Sequence, residues 1–104
     1  TSNLGKPDYQ RALVQHSKYV EALIKCNLSV LELNGNDRFP DSTFVEDTAI
    51  VDREFAVLTS LGAISRQGEE IEMSDKLKTF YDNIESIRKP GTLEGGDVMK
   101  VEEH

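Results

Sequence analysis

An acidic stretch near the middle of the chain runs directly into apolar residues, and the rest of the pattern is arranged around this junction. Residues 39–43 contain Pro40, which fixes φ and lacks an amide proton, and they predict a turn. Residues 44–51 predict a central strand with largely apolar side chains on both faces, so we expect both faces to be covered. Glu46 and Asp47 then lie where each carboxylate needs a partner, because burying an unpaired charge costs several kcal/mol.

Helical and strand patterns alternate along the remainder of the chain. Apolar residues at helical spacing predict helices over residues 8–26 and 66–82. Further strands are predicted over residues 28–33, 55–59, 84–87 and 98–101, with turns at 34–37, 52–54 and 89–91. The order helix, strand, acidic turn, strand occurs twice. This indicates an α/β fold built from a repeated unit, with two helices packed on a mixed sheet.

Length and charge narrow the classes of function. We expect one domain over residues 1–104, because the chain is long enough for a single small core. The formal net charge of −7 disfavours nucleic acid and an anionic membrane surface as partners, and it suits a cationic small molecule. No stretch approaches the ~20 apolar residues that a membrane-spanning helix needs. The single cysteine, Cys26, excludes an internal disulfide and fits a reducing cytoplasm.

The acidic stretch is also the first candidate for chemistry. Asp41, Glu46 and Asp47 offer oxygen atoms that accept hydrogen bonds, and a planar guanidinium or amidinium group would bind them in pairs. An internal Arg or Lys partner, or a solvated strand end, would explain the same pattern. Arg66 could contact a carboxylate of the same ligand, although the residues alone favour a surface position in the first turn of the second helix.

A second candidate lies at residues 94–97, Glu-Gly-Gly-Asp. The two glycines allow a positive φ and a close approach of another group, and Glu94 could orient a histidine as the acid of a catalytic triad does. An ordinary loop is the alternative interpretation. We interpret Cys26 as a packing residue, because His16 is too distant along the same helix to activate it. No spacing typical of metal ligands or of a phosphate loop occurs, so no cofactor is expected.

Three segments together resemble dimethylarginine dimethylaminohydrolase, a family of guanidino-modifying enzymes related to arginine deiminases and amidinotransferases. They are Phe-Pro-Asp-Ser-Thr-Phe-Val-Glu-Asp at residues 39–47, Gly-Ala-Ile-Ser-Arg at 62–66 and Thr-Leu-Glu-Gly-Gly-Asp-Val at 92–98. They occur in the order and at close to the spacing of that family. The resemblance implies a five-bladed α/β propeller of ββαβ units, of which this chain would form a part.

The resemblance also implies a role for each candidate residue. Asp41 would hold the α-amino group of the substrate, and Arg66 its α-carboxylate. Glu46 and Asp47 would lie along the guanidinium group, with Asp47 as its main partner. Glu94 would orient the histidine that acts as general acid and base. In such enzymes a cysteine thiolate attacks the guanidinium carbon and expels an amine, and water then releases citrulline.

The chain departs from the family in what it lacks. The positions of the catalytic histidine and the nucleophilic cysteine would both follow His104, and the first strand of the fold would precede Thr1. Ser60 and Leu61 also replace the Arg-Pro that often begins the second motif. We therefore expect an N-terminal, substrate-binding portion of such a hydrolase that is inactive alone.

Two other functions remain open at this point. The chain could be a non-catalytic fragment or short protein that keeps the fold and associates with itself, because an incomplete propeller exposes strand edges and apolar faces. A homo-oligomer is expected on the same grounds. The chain could also be a relative of an arginine deiminase or amidinotransferase, with a different leaving group.

Overall fold

The computed structural model describes residues 5–101, which divide after Asn34 into two compact units. The first unit contains helix α1 (Tyr9–Lys25). The second contains the strands β1 (Ala49–Val51), β2 (Ala56–Leu58) and β3 (Ile84–Ser86) and the helix α2 (Glu69–Leu77). Two helices and a three-stranded mixed sheet confirm the predicted α/β fold. The prediction of one domain over residues 1–104 stays a prediction.

Helix α1 begins and ends where its sequence signals predict. The side chain of Asp8 accepts a hydrogen bond from the backbone N–H of Arg11 at 3.0 Å, which satisfies one of the free amides of the first turn. At the other end Asn27 adopts a φ of 61°, the left-handed conformation that asparagine tolerates. None of the helices in residues 5–101 is long and apolar enough to cross a membrane.

The sheet has the order β1–β2–β3. Strands β1 and β2 form an antiparallel hairpin in which Ile50 pairs with Val57, and the amide of Asp52 donates to the carbonyl of Phe55 to close its turn. Strand β3 lies parallel to β2, so the chain needs a crossover between them, and α2 is part of it. The predicted hairpin and the predicted strand at residues 84–87 are thus present, with shorter strands.

Three strand predictions are wrong in part or in full. Only Ala49–Val51 of the predicted strand 44–51 is extended, because Val45–Thr48 winds into a 3₁₀ turn. The Thr48 hydroxyl donates to the carbonyl of Val45 at 2.7 Å and supports this turn. Residues 28–33 and 98–101 form no strand in the part of the chain that is described. As a consequence, Glu46 and Asp47 lie in a turn at the start of β1 and not within a strand.

The second helix is shorter than its pattern predicts, Glu69–Leu77 in place of 66–82. Gly68 has a φ of 107°, a conformation that interrupts a right-handed helix and that other residues rarely adopt. Ile64–Arg66 therefore forms a separate 3₁₀ turn before the helix starts. Gly68 places Arg66 and Glu69 on either side of this break, and their side chains meet.

The core of the second unit is small and lies around β2. Its buried apolar residues are Phe39, Ala56, Leu58 and Leu61. Thr59 is buried beside them, and its hydroxyl donates to the backbone carbonyl of Asp47 at 2.6 Å. Ser60 forms an isolated antiparallel bridge with Leu93. The end of β2 therefore holds both the turn that carries Asp47 and the segment that carries Glu94.

Candidate functional site

The guanidinium group of Arg66 lies between two carboxylates. Its Nη1 atom is 2.7 Å from Oδ2 of Asp47, and its Nη2 atom is 2.8 Å from Oε2 of Glu69. Its Nε atom also donates to Glu69, at 3.1 Å from Oε1 and 3.2 Å from Oε2. Such paired, charge-assisted hydrogen bonds fix both the position and the plane of the guanidinium group.

Arg66 is buried, so its interpretation from the residues alone as a surface residue of a helix is wrong. The Nη2 atom also faces the backbone carbonyls of Phe44, at 3.3 Å, and Asp41, at 3.4 Å. The guanidinium carbon lies 5.9 Å from the centre of the Phe44 ring. The hydrogen bonds to Glu69 raise the pKa of Arg66 above its ordinary value, those to Asp47 add to this, and burial opposes it. Arg66 therefore remains charged.

Glu69 was not among the residues selected from the sequence. Its side chain is only 2% exposed, the lowest value in the cluster, which we define as Asp47, Arg66 and Glu69. The one signal that could have found it is the spacing of three residues between Arg66 and Glu69, typical of ion pairs on a helix. The first turn of α2 contains three acidic residues, at 69, 70 and 72, and nothing in the sequence distinguishes the buried one.

Asp47 is held from three sides. Its Oδ2 atom pairs with Arg66, and its Oδ1 atom accepts a hydrogen bond from the backbone N–H of Gly96 at 3.2 Å. The hydroxyl of Thr59 holds its backbone carbonyl. The side chain remains 19% exposed, so the carboxylate is oriented and still reachable from solvent.

Asp41 and Glu46 are exposed. Among residues 5–101, neither carboxylate has a hydrogen bond or an ion pair with another side chain. Asp41 approaches the cluster through its backbone carbonyl, which faces Arg66. Of the four residues expected to bind a substrate, Asp47 and Arg66 are thus in direct contact, Asp41 is joined to them by its backbone, and Glu46 precedes Asp47 in the same turn.

Gly95 and Gly96 bring the third motif against the first. Neither glycine has a positive φ, so glycine is required here because a larger residue would not fit. A Cβ atom on Gly95 would collide with the backbone carbonyl oxygens of Glu46 and Ala49, and one on Gly96 would lie 2.5 Å from Oδ1 of Asp47. Real Cβ atoms essentially never approach another atom so closely. The predicted close approach is therefore present, and the group that approaches is Asp47.

Glu94 lines a cavity of about 270 Å³ together with Gly62, Thr92, Leu93 and Asp97. A Cβ atom on Gly62 would lie 4.0 Å from the Oε1 atom of Glu94, so the second and third motifs meet here as well. Glu94 is partly buried. Two carboxylates on one small cavity make it suitable for a cationic or hydrogen-bond-donating group.

Cys26 and His16 both belong to the first unit. Cys26 is exposed, so its interpretation as a buried packing residue is wrong. It follows the last residue of α1, where its backbone amide closes the helix and its side chain is left outside. The Nδ1 atom of His16 lies 3.9 Å from the Oε2 atom of Glu32. Within residues 5–101 no group of three or more His, Cys, Asp or Glu side chains is arranged to hold a metal ion.

Two hydrolases are among the proteins that are similar to this chain in sequence, while no protein-family model matches it. A dimethylarginine dimethylaminohydrolase from Pseudomonas aeruginosa is 44% identical over 105 aligned residues, which cover all of this chain and 41% of that protein. One from Streptomyces coelicolor is 40% identical over 96 residues, which cover 92% of this chain and 37% of that protein. An uncharacterised protein from Aeropyrum pernix is 41% identical over 93 residues.

Solved structures of dimethylarginine dimethylaminohydrolases have a fold similar to that of this chain. A dimethylarginine dimethylaminohydrolase in adduct with S-methyl-L-thiocitrulline has a TM-score of 0.93 at 44% identity over 98% of this chain and 41% of that one. The Pseudomonas aeruginosa enzyme complexed with citrulline has the same TM-score over 98% of this chain and 40% of that one. The resemblance to a part of a dimethylarginine dimethylaminohydrolase is confirmed, and the chain spans about two fifths of the proteins that it matches.

Proposed function

We propose that this chain supplies the side of an active site that binds the substrate cation in a hydrolase acting on the guanidinium group of arginine or methylarginine. The observation that carries the proposal is the convergence of all three motifs on Asp47. Arg66 from the second motif and Gly96 from the third each bind one oxygen of this carboxylate, which belongs to the first. The relatives with bound citrulline and S-methyl-L-thiocitrulline, both arginine-like amino acids, support the class of substrate.

The roles follow from charge and exposure. Asp47, oriented and partly exposed, accepts hydrogen bonds from the guanidinium group, and Glu46 lies beside it in the same turn. Asp41, whose exposed carboxylate has no partner among the described side chains, binds the α-amino group. Arg66 binds the α-carboxylate, for which it retains one Nη1 hydrogen that no acceptor within residues 5–101 takes. Glu94, at the cavity, orients the histidine that acts as general acid and base in the family.

The chemical step needs two groups that we do not assign to this chain. A thiolate attacks the guanidinium carbon, the C–N bond to the methylated nitrogen breaks, and a general acid protonates the amine that leaves. Water then attacks the same carbon and releases the thiolate and citrulline. Cys26 does not occupy the motif position of the family nucleophile, and His104 does not occupy that of the family histidine, so we expect no hydrolysis by this chain alone.

Binding is the direct test of this function. We expect saturable shifts of the amide NMR signals of Asp47 and Gly96 when the chain is titrated with L-arginine. Asp41→Asn should weaken binding, while Asp37→Asn, which removes the same charge from an exposed position four residues earlier, should not. The absence of saturable shifts, or equal effects of the two substitutions, would contradict the proposal. Citrulline release from dimethylarginine that Cys26→Ser abolishes would contradict our interpretation that Cys26 is not the nucleophile.

The leaving group distinguishes this function from that of an arginine deiminase or amidinotransferase. Two relatives named as dimethylarginine dimethylaminohydrolases, at 44% and 40% identity, favour a methylated amine. A cytoplasmic location fits the use of a single cysteine, Cys26, which cannot form an internal disulfide.

Self-association is a second candidate property, favoured by the surface of α1. Within the described residues this helix has no buried side chain. Its exposed large apolar side chains are Tyr9, Leu13, Val14, Tyr19 and Ile24. A second copy of the chain could cover them, because a two-fold dimer presents the same surface twice. Light scattering at micromolar concentration in low and high salt tests this. A mass of 11.7 kDa in both would exclude a dimer.

A further inference from the structure

The two carboxylates that bind Arg66 differ in exposure. Glu69 is 2% exposed and Asp47 is 19% exposed, so solvent reaches the guanidinium cluster from the Asp47 side. Two negative charges and one positive charge leave this cluster with a net charge of −1. Glu69 occupies Nε and one hydrogen of Nη2, whereas Asp47 occupies a single hydrogen of Nη1. Glu69 is therefore the main counter-ion of Arg66.

This arrangement has a consequence for a cationic ligand. If Asp47 alone balanced Arg66, the pair would be neutral. The guanidinium group of a ligand at Asp47 would then be repelled by the positive charge of Arg66, which lies directly behind the Asp47 carboxylate. With Glu69 present, the charge of Arg66 is already balanced, and the negative charge at Asp47 remains available. Charges within a few ångströms interact strongly where water is largely excluded.

We propose that Glu69 is a positioning residue of the binding site: it balances and orients Arg66, so that Asp47 can accept a cationic guanidinium group. This inference rests on the proposed function and extends it to a residue that does not touch the substrate. A role in stability alone is the alternative, because buried ion pairs also hold folds together. The two explanations differ in what they predict for ligands of different charge.

The experiment compares L-arginine with L-citrulline, which share the α-amino and α-carboxylate groups and differ in charge at the far end. Glu69→Gln keeps the size of the side chain and one acceptor for Nε, and removes the charge. We expect it to lower the preference for L-arginine over L-citrulline by about tenfold, which corresponds to about 1.4 kcal/mol, because any effect through Arg66 on the shared α-carboxylate cancels in this ratio. Glu72→Gln is the matched control, since it removes the same charge from an exposed position of α2. Equal losses for both ligands would overturn the proposal.

Two further measurements test whether Glu69 acts through its charge and through the orientation of Asp47. Glu69→Asp retains the charge, so it should keep more of the preference for L-arginine than Glu69→Gln does, and a preference as low as that of Glu69→Gln would contradict the proposal. The Gly96 amide signal reports on Asp47 without any ligand, because this N–H donates to Oδ1. It should shift in Glu69→Gln and not in Glu72→Gln. If the wild-type chain binds neither amino acid, the proposed function is wrong, and the Gly96 signal alone decides whether Glu69 orients Asp47.

Discussion

The backbone amide of Gly96 donates a hydrogen bond to the Oδ1 atom of Asp47, 3.2 Å away and 49 residues earlier in the chain. The other oxygen of this carboxylate pairs with Arg66, 19 residues later. One side chain thus joins three segments that are well separated in sequence. A carboxylate held in this way is oriented before a ligand arrives, which reduces the conformational entropy lost on binding.

The glycines of the third motif should tolerate no side chain. Gly95→Ala places a Cβ atom against two backbone carbonyls that cannot move independently, and we expect a loss of about 1–3 kcal/mol in the free energy of unfolding. Gly96→Ala meets only the end of the Asp47 side chain, so a smaller loss of stability is expected, together with weaker L-arginine binding. Urea unfolding and NMR titration measure the two effects.

Gly35→Ala is the control for these substitutions. A Cβ atom there has nothing within 4 Å, and Gly35 has no positive φ, so its effect on stability should stay within about 0.5 kcal/mol. If Gly95→Ala were as stable as Gly35→Ala, the segment at residues 94–97 would not be docked against the turn that carries Asp47.

Because Arg66 forms buried ion pairs, its substitution should lower the free energy of unfolding. Arg66→Met leaves the carboxylate of Glu69 buried without a counter-ion, and we expect the free energy of unfolding to fall by about 3–5 kcal/mol. Arg66→Lys keeps a charge but cannot reproduce the planar set of donors that reaches both carboxylates, so its loss should be intermediate. Arg88→Met removes an exposed arginine and should change stability little. Equal urea midpoints for Arg66→Met and Arg88→Met would show that the cluster contributes nothing to folding.

The features that the sequence predicted well depend on local signals. Helix α1 has an Asp at its start and an Asn after its end, and both act through backbone groups within a few residues. The hairpin of β1 and β2 was predicted from a short polar turn between apolar residues. Asp47 was selected from its chemistry, as a carboxylate that needs a cationic partner, whereas Arg66 was selected mainly from the resemblance.

The features that were missed depend on distant contacts or on a single backbone angle. The pattern at residues 44–51 is apolar enough for a strand, but the 3₁₀ turn at Val45–Thr48 is held by a side-chain hydrogen bond that no periodicity reveals. Gly68 could not be recognised as the break before α2, because a glycine within a helical pattern is often tolerated. The burial of Glu69 was missed as well, because it depends on the direction in which Gly68 turns the chain before α2 begins.

Lys100 and Asp52 form an ion pair in which Nζ of Lys100 lies 2.6 Å from Oδ2 of Asp52. This ion pair joins the segment after the third motif to the turn of the β1–β2 hairpin. The hydrogen bond from Lys100 lowers the pKa of Asp52 below its ordinary value of 3.8, and the backbone N–H of Arg53 lowers it further. Because the folded chain favours the ionised carboxylate, this contribution to stability is present above the pKa of the unfolded chain and is lost as pH falls through the lower, folded value. Lys100→Gln should therefore raise the pKa of Asp52 towards 3.8 without restoring it completely, since the Arg53 amide remains. A carboxyl ¹³C NMR titration measures this, with Lys76→Gln as an exposed control on α2. An Asp52 pKa that is the same in Lys100→Gln and in the wild-type chain would show that the ion pair does not form in solution.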